Sequence, residues 1–329
     1  MSDNSPCVSV VIPAFNAAET VGAAVESALG QTLTDIEVIV VDDGSTDDTL
    51  ARLAAINDSR LRVVRADHRG VAHTRNTGLD HARGEFITFL DADDLWAAGK
   101  LQAQVEKIAS NPAVWAVYSW TMFMDQRGRY LFAKAPQYCS GDVYAELLVT
   151  FSLASGSNVL ARRECIEAIG RFDESAQPVE DWEYWLRAAK AGQFAAAPSH
   201  QVFYRFTRGS SSAAVEAYLC AIERVAKRAF AEAPPALQAR YGECLSNAKQ
   251  HACLLYLVRT TAPDAHRRAG RLLRAAIWQH PAALTSARTI ALLCGWLALF
   301  FVPRSKMTDA AFALLRCYGY CANRPKRAP

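Results

Sequence analysis

The chain has 329 residues, which is long enough for one large domain with a smaller appendage. Of its residues, 51% are hydrophobic and 21% are charged, and this composition excludes a disordered protein. The net charge of +3 hides an asymmetry: residues 266–329 hold 11 Lys and Arg against one acidic residue, whereas the residues before them hold 25 basic and 32 acidic ones. A neutral-to-acidic body with a basic terminal segment indicates a polyanionic surface as a partner.

The cysteines and the N-terminus indicate the compartment. Apart from Cys317 and Cys321, the nine cysteines lack paired short spacings, which favours reduced thiols over a disulfide or zinc framework. The polar start, Met1 to Pro6, leads straight into a strand-like run without a basic n-region or a cleavage site. We therefore expect a cytoplasmic protein.

Strand-like and helix-like segments alternate through the first part of the chain. The predicted strands are Cys7–Ile12, Ile36–Val41, Leu61–Arg65 and Phe86–Leu90, and the predicted helices are Thr20–Leu29, Asp47–Ile56 and Val71–His81. This alternation predicts an α/β fold with right-handed crossovers and a mostly parallel sheet. Ligands of such sheets bind at the carboxyl ends of the strands, where Asn16, Asp42-Asp43 and Asp91-Ala92-Asp93-Asp94 fall.

The remaining chain divides at a polar loop. A strand over Val114–Trp120, a helix over Glu180–Ala191 and a strand over Gln201–Phe206 precede the loop Thr207–Ser212. Beyond the loop, the pattern predicts helices from Ala213 to roughly Tyr320, interrupted by prolines. We expect one domain over residues 1–211 and a helical, basic region over 212–329.

Asp42-Asp43-Gly44-Ser45 follows a predicted strand directly. Carboxylates on such a turn can accept hydrogen bonds from a nucleobase imide or from ribose hydroxyls. The alternative is a turn with a helix N-cap, formed by Ser45 or Asp47, which does not require two preceding acids.

Asp91-Ala92-Asp93-Asp94 places carboxylates two residues apart at another strand end. This spacing lets them converge on Mg²⁺ or Mn²⁺, which take oxygen ligands and keep water and substrate phosphates in their shell. An ordinary acidic turn is the alternative. Arg75, early in a predicted helix, can reach phosphate oxygens with its planar guanidinium or be an ordinary surface arginine.

Four segments together resemble the family 2 glycosyltransferases, over about residues 8–211. They are Val8-Ser9-Val10-Val11-Ile12-Pro13-Ala14-Phe15-Asn16, Val40-Val41-Asp42-Asp43-Gly44-Ser45-Thr46-Asp47, Arg75-Asn76-Thr77-Gly78 and Leu90-Asp91-Ala92-Asp93-Asp94. The resemblance implies a GT-A fold, with a nucleotide-binding half over about 1–98 and an acceptor half over about 99–211. It also implies inversion at the anomeric carbon.

The resemblance further implies the roles of individual residues. Phe15 would stack on the base, Asp43 with Asp42 near it would hydrogen-bond the base, and Arg75 would contact the donor diphosphate or the acidic residues around it. Asp91 and Asp93 would form the family's Asp-X-Asp motif, with Asp93 as the direct metal ligand. The nucleotide-sugar-binding set is Pro13, Phe15, Asn16, Glu19, Asp42, Asp43, Arg75, Asp91 and Ala92.

The segment from Glu180 to Arg187 looks like the family's Glu-Asp motif at the start of a helix. Asp181 would be the general base, because single-step inversion needs a carboxylate to take the proton of the acceptor hydroxyl, and Glu180 would orient it or meet the acceptor. The alternative is a pair of acids that stabilise a helix N-terminus, which does not exclude catalysis.

Other positions are less informative. Thr207, followed by Arg208, stands where many relatives carry a histidine, and His68 stands where relatives often have asparagine and is interpreted as structural. Trp182, Phe172 and Ser157 are expected on the acceptor side, with core packing as the alternative for the aromatic residues.

The run Thr289–Val302 is apolar and uncharged but shorter than the roughly 20 residues that span a bilayer. Its basic flanks, including Arg288, Arg304 and Lys306, favour peripheral attachment to the anionic inner face of the cell membrane. A helical bundle packed on the catalytic domain or at a dimer interface is the alternative. Nucleic acid is not expected as a partner, because no binding motif accompanies the basic charge.

The sequence thus predicts an inverting glycosyltransferase. It would move a sugar from a nucleoside-diphosphate sugar, a UDP-sugar by family habit, to a glycan or lipid-linked glycan in surface polysaccharide assembly. The two rivals are a non-catalytic nucleotide-sugar-binding scaffold and a nucleotidyltransferase. The latter usually carries a glycine-rich basic loop near its N-terminus, and Pro13-Ala14-Phe15-Asn16 is not such a loop.

Overall fold

The structure, a computed structural model, describes residues 5–134, 136, 138–150, 153, 155–206, 215–258 and 264–298. These residues form two compact units. The first takes the described parts of Met1–Met124, Tyr138–Tyr144 and Leu153–Arg205, and the second takes those of Asp125–Gln137, Ala145–Ser152 and Phe206–Pro329. The predicted boundary at residue 211 lies outside the described residues.

Strands and helices alternate over residues 8–89, and the elements of both units are numbered together in chain order. The strands are β1 (Val8–Ala14), β2 (Ile36–Asp42), β3 (Leu61–Arg65), β4 (Phe86–Phe89), β5 (Leu95–Trp96), β6 (Val114–Met124), β7 (Tyr130–Ala133), β8 (Leu160–Arg162) and β9 (Gln193–Arg205). The helices are α1 (Val21–Leu29), α2 (Thr49–Ala54), α3 (Val71–His81), α4 (Lys100–Ala109), α5 (Tyr144–Val149), α6 (Arg163–Ile169), α7 (Glu180–Ala191), α8 (Val215–Ala231), α9 (Pro235–Gln238), α10 (Tyr241–Val258), α11 (Ala265–Gln279) and α12 (Ala287–Ala298).

The first unit is built on a sheet with the strand order β3-β2-β1-β4-β8-β6-β9-β5. Strands β3, β2, β1 and β4 run parallel to one another, and β6 runs parallel to β9. Strand β8 runs antiparallel to β4 and β6, and β5 runs antiparallel to β9. The predicted α/β class with a mostly parallel sheet is confirmed.

The core of the first unit follows from the composition of the central strands. All seven residues of β1 and all seven of β2 are buried, as expected for parallel strands covered on both faces. Helix α1 packs on them through Val21, Ala24, Val25 and Ala28, whose spacing puts them on one helical face. Strand β1 has β2 on one side and β4 on the other, so the direction in which successive strands are added reverses at β1. In open α/β sheets, such a reversal leaves a ligand-binding crevice at the carboxyl ends of the strands.

The bounds of several elements agree with the sequence prediction. Strand β3 and helices α3 and α7 have the predicted limits, whereas the strand predicted over Gln201–Phe206 is the end of the longer β9. The three-residue β8 was not predicted, because so short a segment shows no periodicity.

The described part of the second unit contains the predicted helices. Helix α10 is buried along most of its length and contacts α8, α11 and α12. Among the described residues, no helix is both long and apolar enough to cross a bilayer. The apolar run predicted over 289–302 coincides with α12 up to Ala298, and its remainder lies outside the described residues.

Candidate active site

The loop that follows β1 is tied to the loop that follows β2. Asn16 has a φ of 47°, a left-handed conformation that asparagine tolerates. Its backbone N–H donates to Ser45 Oγ at 2.9 Å, and its Oδ1 accepts from the N–H of Thr46 at 2.8 Å. The N–H of Ala18 donates to Asp47 Oδ2 at 3.1 Å. Residues of the Asp-Gly-Ser motif therefore hold the loop that carries Phe15.

The carboxylates predicted to meet the base are buried. Asp43 is 3% exposed; its Oδ1 accepts from the N–H of Arg69 at 3.0 Å, and its Oδ2 accepts from the N–H of Gly70 at 3.0 Å. His68 Nδ1 donates to the same Oδ2 at 2.9 Å. Asp42 is 2% exposed, and its Oδ1 has no hydrogen-bond partner among the described residues. In this structure the Asp43 carboxylate organises the loop over residues 68–70.

Two aromatic rings form an exposed surface above Asp43. The rings of Phe15 and His68 are stacked, with centroids 4.1 Å apart and planes 20° apart. Phe15 is 45% exposed, and the side chain of His68 is 58% exposed. A nucleobase can stack on such a surface. The sequence predicts Phe15 in the site and His68 as a structural residue. The hydrogen bond of His68 to Asp43 agrees with a structural role, and its stacking on Phe15 could not be expected, because no local pattern links residues so far apart in the chain.

Arg75 connects three elements through buried ion pairs. Its Nη1 lies 2.8 Å from Glu180 Oε1 at the start of α7, and its Nη2 lies 2.7 Å from Asp91 Oδ1 after β4. Burial would lower the pKa of Arg75, but Asp91, Glu180 and Asp181 outweigh it, so the pKa is raised. A side chain at Gly156 would approach Arg75 Nη2 to 2.8 Å, so the glycine leaves room for the guanidinium. Arg75 was expected to contact the donor diphosphate or the acidic residues around it, and in this structure it contacts the acidic residues.

The Arg75 cluster also contains unpaired polar atoms. Arg75 Nε and Glu180 Oε2 are both buried, and neither has a hydrogen-bond partner in the part of the chain that the structure describes. An unpaired buried polar group costs about 1–3 kcal/mol, and a charged one costs more, so its presence needs an explanation, which a catalytic role can supply.

Asp181 lies in the first turn of α7, beside this cluster. It is partly buried, and its Oδ1 accepts from the N–H of Trp182 at 2.8 Å. Burial and the carboxylates of Glu180 and Asp91 raise the pKa of Asp181 to about 7, against the opposing effect of Arg75. A carboxylate with this pKa can accept a proton near neutral pH.

The loop after β4 is held by two residues from later in the chain. Ser157 Oγ accepts from the N–H of Asp91 at 3.0 Å and donates to Asp94 Oδ2 at 2.6 Å. The N–H of Arg205 donates to Asp94 Oδ1 at 2.9 Å, and its Nε donates to the backbone oxygen of Asp93 at 2.7 Å. Asp94, which sequence analysis left without a role, is thus the buried anchor of the Asp-X-Asp motif.

The donor atoms at this loop fit a hard divalent cation. Asp91 Oδ1 accepts a hydrogen bond from Arg75. The candidate metal ligands are therefore Asp91 Oδ2 and the carboxylate of Asp93, which is partly buried. Burial, together with the carboxylates of Asp93 and Asp91, raises the pKa of Asp94, which reflects the crowding of negative charge. The described residues hold no group of three or more potential ligands. Mg²⁺ is commonly bound by one or two carboxylates together with substrate phosphates, so two carboxylates suffice.

The three residues expected on the acceptor side are buried. Ser157 is 0% exposed, Phe172 is 4% exposed and Trp182 is 2% exposed. Phe172 stacks on Tyr184 with centroids 3.7 Å apart, and its backbone is hydrogen-bonded to Asn76. For the two aromatic residues, these surroundings favour the core-packing alternative over contact with an acceptor.

Three further residues of the predicted nucleotide-sugar-binding set differ in their exposure to solvent. Pro13 is buried within β1, Ala92 is buried in the loop after β4, and Glu19 is exposed. Thr207 and Arg208 lie outside the described residues.

Known proteins share the sequence pattern of the first unit. The glycosyl transferase family 2 pattern matches residues 9–170. The chain is 31% identical to the Escherichia coli UDP-Glc:alpha-D-GlcNAc-diphosphoundecaprenol beta-1,3-glucosyltransferase WfaP, over 63% of this chain and 80% of WfaP. It is 40% identical to WfgD, the E. coli enzyme with the same described activity, over 32% of this chain and 42% of WfgD.

Solved structures share the fold. Staphylococcus aureus TarS 1-349 in complex with UDP has a TM-score of 0.58 and 20% identity, over 97% of this chain and 93% of that one. The mannosyltransferase PcManGT from Pyrobaculum calidifontis, in complex with GDP-Man and Mn²⁺, has a TM-score of 0.58 and 24% identity, over 98% of this chain and 88% of that one.

The fold and the sequence matches together define the class of protein. The sheet and its helices are those of a GT-A glycosyltransferase. The chain belongs to glycosyl transferase family 2, and the predicted enzyme class, a glycosyltransferase, is confirmed.

Proposed function

We propose that the chain transfers a sugar from a nucleoside-diphosphate sugar, a UDP-sugar in the first instance, to a hydroxyl of a glycan or lipid-linked glycan. The observation that carries this proposal is the Arg75 cluster. Arg75 joins Asp91, which belongs to the Asp-X-Asp motif, to Glu180, whose neighbour Asp181 is the proposed base. The buried guanidinium of Arg75 thus contacts both the loop after β4 and the first turn of α7, which carries the proposed base.

The donor base is assigned to the exposed surface of Phe15 and His68. Both rings are accessible and parallel, and stacking of a base on an aromatic side chain contributes about 1–3 kcal/mol. Asp43 supports this surface from below by holding His68 and the N–H groups of residues 69 and 70.

The diphosphate is assigned to the loop that follows β4. Asp93, with Asp91 Oδ2 beside it, would hold Mg²⁺ or Mn²⁺, which would neutralise charge on the departing nucleoside diphosphate. The Mn²⁺ bound by PcManGT supports this assignment. Ser157 and Arg205 keep the loop in place through Asp94.

The transfer is proposed as a single displacement. Asp181 takes the proton of the acceptor hydroxyl, while the hydroxyl oxygen forms a bond to the anomeric carbon. The bond from that carbon to the phosphate oxygen breaks, and its electron pair leaves with the nucleoside diphosphate. Attack opposite the leaving group inverts the anomeric carbon. The pKa of about 7 supports Asp181 as the base, because proton transfer is most efficient when the pKa lies near the working pH.

The acceptor class is proposed from the relatives. WfaP and WfgD are described as acting on a GlcNAc-diphosphoundecaprenol acceptor, which is a lipid-linked sugar. A role in surface polysaccharide assembly follows if this chain shares that acceptor class.

The test measures nucleoside-diphosphate release by the purified chain. UDP-Glc, UDP-GlcNAc and GDP-Man are supplied as donors with a GlcNAc-diphosphate-lipid acceptor, in the presence of Mn²⁺ or EDTA. We expect Mn²⁺-dependent release from one donor and at least about 100-fold slower release by Asp181→Asn. Glu106→Gln, an exposed carboxylate on α4, is the matched control and should leave the rate unchanged.

Calorimetric binding of UDP separates the rival functions. Asp181→Asn should bind UDP with Mn²⁺ as the wild type does, whereas Asp93→Asn should lose the gain in affinity that Mn²⁺ provides. UDP binding without turnover of any donor would favour the scaffold, and failure to bind any nucleotide would contradict the donor-site assignment.

A further inference from the structure

Helix α11 presents a basic stripe whose residues have no assigned role. Arg267, Arg271, Arg274 and Trp278 are exposed and recur at spacings of four, three and four residues, which places them on one helical face. Trp278 is 86% exposed, whereas the opposite face of α11 is buried. We call these four residues the α11 stripe.

Within the described residues, the charge of the stripe is compensated only at Arg267, which interacts electrostatically with Asp264. Residues 265–298 contain five arginines and no acidic residue. Arg268, on another face of α11, pairs with Asp264 and Glu216. Within the described part of the chain, Arg271 and Arg274 form no ion pair or hydrogen bond. An arginine face of this kind favours a partner with a high density of negative charge.

Apolar side chains are exposed next to the stripe along the chain. Leu284 follows α11 and is 50% exposed, and α12 exposes Ile290 at 49% and Leu297 at 51%. Helices α11 and α12 are joined by His266 and Trp296, whose rings stack 5.0 Å apart and each of which donates to the other's backbone oxygen. The same helix pair therefore combines arginines, an exposed tryptophan and exposed aliphatic side chains.

We propose that the α11 stripe docks on the surface of an anionic lipid bilayer. Arginine binds lipid phosphate, and tryptophan prefers the boundary between headgroups and acyl chains. The opposite face of α11 is buried, so the arginines of the stripe would contact the headgroups and Trp278 would reach the boundary. The charged part of the proposed surface consists of described residues of α11, and not of the basic residues that flank the apolar run over 289–302. It goes beyond the proposed transfer reaction and does not depend on it.

The size of the effect can be estimated from the charges. Each basic side chain near an anionic surface strengthens binding roughly fivefold, so three arginines together contribute roughly 100-fold. This contribution should weaken as salt is added, because the charges are exposed and screened.

The test is sedimentation of the full chain with lipid vesicles. We expect binding to vesicles that contain phosphatidylglycerol, little binding to phosphatidylcholine alone, and release by salt. The variant R267Q/R271Q/R274Q should bind the anionic vesicles roughly 100-fold more weakly. The variant K107Q/R127Q/K227Q removes three exposed basic side chains elsewhere and should bind as the wild type does. Trp278→Ala should also weaken binding, with salt dependence retained.

Several results would overturn the proposal. They are absence of binding to anionic vesicles, equal binding to both lipid compositions, and equal loss of binding in the two triple variants. Dimerisation that only the α11 stripe variant loses, without vesicle binding by the wild type, would assign the surface to a second copy of the chain. Circular dichroism and UDP binding of each variant show whether a loss reflects misfolding.

Discussion

At the scale of single residues, opposing effects set the pKa of Asp181. A general base must be ionised, but burial and the carboxylates of Glu180 and Asp91 disfavour its charge. Arg75 opposes them and pairs with Glu180 and Asp91 themselves. The pKa of about 7 is the result of this balance, and it depends on residues from three different elements.

The pH dependence of the enzyme should follow from this pKa. We expect kcat/KM to rise with pH through about 7, because only the ionised carboxylate accepts the acceptor proton. Measurement of kcat/KM against pH checks this, and Glu106→Gln, the surface control, should give the same profile as the wild type. A profile that is flat from about pH 5 to about pH 8 would contradict the role of Asp181.

The same pKa predicts a stability effect with a defined sign. The folded state raises the pKa from 3.8, so stability is fully present below that value and is lost as pH rises through about 7. Asp181→Asn carries no charge and should therefore be more stable than the wild type near pH 8, by up to about 4 kcal/mol, because each pKa unit corresponds to about 1.4 kcal/mol. This advantage should shrink towards pH 4, as urea unfolding at the two pH values would show.

His68 provides a second prediction at the residue scale. His68→Ala removes the ring stacked on Phe15 and should weaken UDP binding about tenfold, while pyrophosphate binding stays unchanged because pyrophosphate has no base. His68→Phe retains a ring and should recover most of the affinity. Equal loss of UDP and pyrophosphate binding, measured by calorimetry, would instead indicate collapse of the loop that His68 supports through Asp43.

At the scale of elements, the Arg-Asn-Thr-Gly motif combines a site residue with packing residues. Arg75 belongs to the ion-pair cluster, but Asn76 holds the backbone of Phe172, and Gly78 faces β1. A motif can thus recur for structural reasons at some positions and for chemical reasons at others. The sequence pattern by itself does not separate the two.

Gly78→Ala should destabilise the contact between α3 and β1. A Cβ at residue 78 would overlap Cγ1 of Val11, which is fully buried. Overpacking of this kind costs about 1–3 kcal/mol of unfolding free energy, measurable by urea denaturation. Gly22→Ala in α1 is the control: nothing lies within 4 Å of its added Cβ, and the helix should gain about 0.5–1 kcal/mol. Equal stability of the two variants would show that α3 shifts away at no cost.

At the scale of the whole molecule, the basic segment over 266–329 is only the last part of the second unit, which also includes residues 206–265. The parallel strands and the acidic cluster belong to the first unit, and the α11 stripe belongs to the second. The first unit is not continuous in sequence, because the described parts of 125–137 and 145–152 belong to the second. Such an excursion has no compositional signal, so the sequence predicted a simple division near residue 211.

The sequence by itself determined the features that depend on local pattern. Continuous apolar runs predicted β1 and β2, helical spacing predicted α3 and α7, and the order of the motifs predicted the family. Only the tertiary structure decided which side chains meet: Arg75 with Glu180, Phe15 with His68, and Ser157 with Asp94. The physical reason is that these pairs are far apart in the chain. Their distances, burial and pKa values arise only when the sheet and its loops bring them together.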